Sequence, residues 1–74
     1  MITKNPDYRT ANLEEIEKFL DGMITNVAIS LADSPKSRAI QVNNHIGFYA
    51  GICAARDLNE NFDLISKWND IANH

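Results

Sequence analysis

Ten consecutive residues, Ile46 to Ala55 (IGFYAGICAA), carry no charge. The run holds two glycines four apart (Gly47 and Gly51), the aromatics Phe48 and Tyr49, and Cys53, the one cysteine of the chain. It lies inside a longer helical pattern, so its apolar side chains point to every side of the axis. A helix that is apolar all round has to be covered all round. The remainder of the chain must supply that cover or leave part of it to another molecule.

Little material is at hand for the task. The sequence has 74 residues, near the size at which one hydrophobic core is barely self-sufficient. A single cysteine forms no internal disulfide, and no Cys/His spacing typical of a metal site occurs. Tight helix packing and oligomerisation are the remaining routes to stability. Hydrophobic residues make up 45% and charged residues 23%, the balance of a folded globular chain rather than a disordered one. The net charge of −3 gives no electrostatic footprint for direct nucleic-acid binding. Met1 to Arg9 lacks the apolar stretch of a signal peptide. No apolar run approaches the roughly 20 residues that span a bilayer. No membrane association is expected, and the lone thiol points to the cytoplasm.

Read in order, the chain predicts an all-α fold in one domain, residues 1–74. Residues 1–11 form an arm or turn, with Asn5-Pro6-Asp7 as its corner and Ile2 and Tyr8 able to pack back on the body. Asn12 followed by Glu15 is a capping box, and Glu14, Glu15 and Glu17 complement the positive end of a helix dipole. Leu13, Ile16, Leu20, Met23, Val27 and Leu31 then recur at spacings of three and four, one face of a helix over about 13–32. Gly22 inside it marks a close contact or a bend. Ser34 as cap and Pro35 at the first helical position open a second helix, about 35–58. The short connection makes the two helices an antiparallel hairpin. Asn59 is the candidate left-handed cap at its end. Asn61 opens a short third helix, about 61–72, carrying Phe62, Ile65 and Trp68.

The second helix presents three apolar lines. One is Ala39, Val42, Ile46, Tyr49 and Cys53; another is Gly47, Gly51, Ala54 and Leu58; the last is His45, Phe48, Ile52 and Ala55. The first helix covers one of them and the third helix covers another, so one face is left over. The expected core takes Leu13, Ile16, Leu20, Met23, Val27, Leu31, Val42, Ile46, Tyr49, Cys53, Phe62, Ile65 and Trp68.

Catalytic chemistry finds no support in the residues. Cys53 stands in an apolar run, about 12 Å along the helix from His45, without the base and cationic surroundings a reactive thiol needs. His45 and His74 lack metal-ligand spacing. No nucleophile–base pair, carboxylate dyad or phosphate loop can be assembled, so neither enzyme activity, metal nor cofactor is expected. Arg38 gains nothing from the helix start on which it stands, which hints at a partner outside the chain. Arg56, by contrast, suits the end of its helix.

The segment ADSPKSRAIQVNNHIGFYAGICAARDL resembles small all-helical proteins of tailed bacteriophages in its polar first turn, small-residue and aromatic middle, and charged Arg-Asp-Leu end. That resemblance covers about a third of the chain and carries over no site residue. It implies a virion assembly component, or an early protein that binds a host factor in the host cytoplasm.

The function expected is a non-enzymatic protein-binding or oligomerisation module, associating with itself or with another protein. Its contacts are Gly47, Phe48, Gly51, Ile52, Ala54 and Ala55 on the second helix, with Trp68 as an aromatic anchor and Phe62 and Tyr49 as further candidates for that role, each equally able to be plain core packing. An alternative is an acidic inhibitor that imitates DNA phosphates through Glu14, Glu17 and Asp21 to occupy a host nucleic-acid-handling protein. A solvated, dipole-complementing helix face explains those acids better, because Lys18 lies among them and dilutes the field.

Overall fold

The computed structural model describes residues 5–73. Three helices make up its regular structure: α1 (Leu13–Ser30), α2 (Pro35–Ala55) and α3 (Phe62–Ala72). No strand occurs among the described residues. The all-α hairpin with a third helix is therefore the fold, with α1 and α2 packed together and α3 packed chiefly on α2. The body measures 36 × 29 × 16 Å. In a slab this thin the long central helix has an outer side that no other helix reaches.

Local chemistry sets the helix starts. The Asn12 side chain accepts from the Glu14 N–H at 3.0 Å, and that of Asn61 accepts from the Leu64 N–H at 3.2 Å, each satisfying a donor that the first turn leaves open. Ser34 makes no side-chain cap bond, so Pro35 at the first position opens α2 without it. The ends fall earlier than periodicity suggests. α1 stops at Ser30, and α2 stops at Ala55 rather than near 58. Asp57, not Asn59, takes the left-handed conformation (φ 55°). The Leu58 N–H bonds the Cys53 carbonyl at 2.8 Å and the Asp57 N–H bonds that of Ala54 at 3.3 Å, which together form a Schellman closure.

Ile16, Leu20, Ile24, Val42, Tyr49, Ile52, Cys53, Trp68 and Ala72 are buried together. The inward stripe of α1 is thus Ile16, Leu20 and Ile24, rotated from the expected one, and Met23 is 37% exposed. Four-residue steps advance about 40° beyond a full turn, so this stripe winds around α1 and meets both α2 and α3. Phe62, expected in the core, is 73% exposed. It occupies the first position of α3 and, six residues before Trp68, lies about 120° around the helix from that buried side chain. A Cβ added at Gly22 would meet nothing within 4 Å, so that glycine marks no close contact.

Arg38 is buried, and its guanidinium donates to the carbonyls of Leu31, Ala32 and Ile71. These oxygens end α1 and α3, where the helix dipoles concentrate negative charge. The residue that gains nothing from its own helix serves the ends of the two beside it. At the far end of α2, Arg56 donates to the carbonyls of Tyr8 (3.2 Å) and Ala11 (2.7 Å). The described part of the arm is thereby held to the body, with the Tyr8 ring 4.8 Å edge-on from Phe48. Ile2 and His74 lie outside the described residues.

Candidate docking groove on helix α2

The side of α2 turned from α1 and α3 carries an open groove of about 660 Å³. Gly47, Gly51 and Ala55 line it together with Phe48 and Ile52, all five among the contact residues expected from sequence. Tyr8 stands beside Phe48, and Arg9 and Arg56 supply the charged groups of the lining. Because the helix repeats every 3.6 residues, positions 47, 51 and 55 fall near one line, and their lack of bulk keeps the groove open. A Cβ added at Gly47 or Gly51 would meet nothing within 4 Å.

The other expected contacts lie elsewhere. Ala54 is exposed but lies outside the groove lining. Trp68 is fully buried and unavailable as an anchor for a partner. Its indole meets Tyr49 edge-on at 5.3 Å, and its N–H donates to Asp21 at 3.0 Å. Ile52 is only 8% exposed, so it belongs to the core and reaches the groove as part of its floor.

The acidic face separates in a similar way. Glu17 accepts the Tyr49 hydroxyl, and Asp21 accepts from both Lys67 (2.9 Å) and Trp68. Lys67 and Trp68 hold the Asp21 carboxyl below the usual carboxylate range. Of the three acids, Glu14 alone is exposed, the other two being half-buried, and its backbone N–H serves the Asn12 cap. Glu17 and Asp21 act as acceptors that join α1 to α2 and α3.

The sequence reading missed Tyr8, Arg9 and Arg56 as walls of the groove. The available signal was an aromatic two residues after Pro6 together with an arginine at the end of α2. A pairing between residues 48 apart leaves no periodicity to detect. On the opposite flank of Tyr8 and Phe48 lies a smaller groove of about 220 Å³, lined also by Met23 and His45. The His45 Nδ1 lies 2.7 Å from the Gln41 carbonyl, so that nitrogen carries its proton and donates.

The buried groups are chemically quiet. Cys53 is 1% exposed, and burial pushes its thiol above the ordinary value, away from the thiolate that reacts. Burial first, and then the Glu17 carboxylate, also raise the Tyr49 hydroxyl. Among the described residues, no group of three His, Cys, Asp or Glu side chains is placed to hold a metal ion. None of the described helices is long and apolar enough to cross a membrane.

Fold and groove define a three-helix hairpin protein with an open apolar groove along α2. The chain matches no protein-family model, and neither the curated proteins nor the solved structures give a significant match.

Proposed function

We propose that this chain is a small non-enzymatic association module whose α2 groove receives another protein molecule, a second copy included. The observation that carries the reading is the pair Gly47 and Gly51 within the groove. Glycine in a helix interior costs about 0.5–1 kcal/mol relative to alanine. Here that cost brings no packing within the chain, because the space above both residues is open. Phe48 beside them remains 46% exposed. Small residues and an exposed aromatic bordering an apolar groove suit close approach by a partner. The resemblance to small helical phage proteins would make such a module an accessory or assembly component. The acidic-inhibitor alternative has less support, since Glu17 and Asp21 already serve partners within the chain.

The test is the mass in solution by sedimentation across a wide concentration range, for the parent and for Gly51→Leu. The parent should associate, with little dependence on salt. The variant should stay helical and monomeric, because its new side chain fills open space rather than the core. If the parent associates and Gly51→Leu associates equally well, the groove is not the contact.

A further inference from the structure

Besides a hole, the chain carries a knob. Phe62 is 73% exposed, with Ile29 at 71% the most exposed of the large hydrophobic residues among those described. The fold gives its ring no seat, although Asn61 before it caps α3 and Trp68 beyond it is fully buried. Its charged near neighbours are Glu60 and Asp63, both acidic. The groove is the reverse in shape and in charge. It is apolar and open over Gly47, Gly51 and Ala55, and the charged residues in its lining are Arg9 and Arg56. The Arg9 side chain is 90% exposed, in loose contact with Asp7 at 3.5 Å.

Phe62 is absent from the lining of the groove in its own chain. The start of α3 is fixed on the Tyr49 side of α2, where the Asn61 N–H donates to the Tyr49 hydroxyl at 2.8 Å. A knob and a complementary hole on different faces of one molecule make a head-to-tail contact between copies.

We propose that the occupant of the α2 groove is Phe62 of a second copy of this chain, with Glu60 and Asp63 facing the exposed Arg9 side chain, Arg56 being held by the Tyr8 and Ala11 carbonyls. This rests on the association reading above and names its partner. Each chain then offers one knob and one hole, so copies add in sequence unless the rotation between them closes a ring.

Two single variants and their mixture test it by sedimentation, with circular dichroism as the folding control. Phe62→Ala removes the knob and keeps the hole; Gly51→Leu fills the hole and keeps the knob. Both sites are exposed, so both variants should remain helical. Each alone should lose self-association about 30-fold or more, the loss that accompanies removal of an interface anchor. Mixed in equal amounts, they should form a one-to-one dimer that grows no further, because only one intact knob and one intact hole remain. A Phe62→Ala variant that assembles like the parent overturns the proposal. If Gly51→Leu is monomeric in that case, the groove reading itself survives, with the grooves of two copies facing each other. A mixture that stays monomeric overturns the head-to-tail contact. A parent that is monomeric at all concentrations overturns the second copy as occupant and leaves the groove to a foreign protein.

Discussion

Tyr49 and Phe48 are neighbours on α2, and each meets another aromatic ring edge-on, yet they hold the molecule together to different degrees. Tyr49 is fully buried against Trp68. Its hydroxyl donates to Glu17 and accepts from the Asn61 N–H, and the Trp68 indole donates to Asp21. Three elements are joined there by part-buried polar contacts around the fully buried Tyr49 and Trp68 rings, where an unpaired group is costly. Phe48 is nearly half exposed against Tyr8. The Tyr8 segment is secured by Arg56 through main-chain carbonyls. Edge-to-face geometry is common to both pairs, so ring contact alone does not distinguish them. Burial with satisfied hydrogen bonds makes the Tyr49 side the structural seam, and the Phe48 side stays open to a partner.

The sharpest way to break this contrast is to delete one ring from each side. Trp68→Ala should cost about 3–5 kcal/mol, close to the whole stability expected of so small a domain, and urea unfolding followed by circular dichroism should lose its cooperative step. Tyr49→Phe keeps the ring but leaves Glu17 and the Asn61 N–H without their partner, at a cost of about 1–3 kcal/mol. The same variant separates the two seams at high pH. The Tyr49 pKa is raised in the fold, so its contribution is fully present below the unfolded value of about 10 and is lost as pH rises above it. Parental stability should fall beyond that pH more than that of Tyr49→Phe. Tyr8→Ala, on the open side, should cost about 1–2 kcal/mol, the scale of its two ring contacts, with Phe48 at 4.8 Å and Phe19 at 6.5 Å, and should leave helix content unchanged.

Smaller changes sharpen the comparison further. Gly51→Ala should raise the thermal midpoint of the monomer, by up to about 1 kcal/mol in stability, since its Cβ meets nothing. A fall in stability would mean that the glycine is needed inside the chain. Acid should act on the Trp68 side. The folded-state pKa of Asp21 is lowered by its hydrogen bonds from Lys67 and Trp68. Its contribution is therefore present above the unfolded value of about 4 and is lost as pH falls through the lower folded value. Its side chain is 32% exposed, so the step is modest, and Asp21→Asn should remove it from a series of urea midpoints measured down to pH 2.5.

Much of the groove was legible in the sequence, because the residues expected at the contact lie four apart on one helix and helical geometry brings them together without further help. Periodicity puts Gly47 and Gly51 on one line with Ala54, and Ala55 on the next with Phe48 and Ile52; all of these but Ala54 line the groove. Trp68 was expected both in the core and as an anchor, and Ile52 at the contact, because an apolar residue suits an interface and a core alike; both are buried, which only the docking of the helices decides. Phe62 was misjudged in the opposite sense. Its three-residue steps to Ile65 and Trp68 look helical, but each falls about 60° short of a full turn, so Phe62 ends about 120° around α3 from the buried Trp68. Glu17 and Asp21 read as solvated acids, since nothing local reveals that a tyrosine and a tryptophan more than thirty residues away will donate to them.

The sequence by itself determined the all-α class, the hairpin and the starts of the helices, because these depend on interactions within a few residues. Asn12, Pro35 and Asn61 act on their own turns, and the 3–4 spacing acts along single helices. Only the tertiary structure decided which way each helix is rotated, that Arg38 closes the ends of α1 and α3, and that Arg56 binds the Tyr8 segment. Those outcomes depend on groups distant in sequence meeting in one place. Burial and charge pairing act through space, whereas periodicity records only the order of residues along one axis.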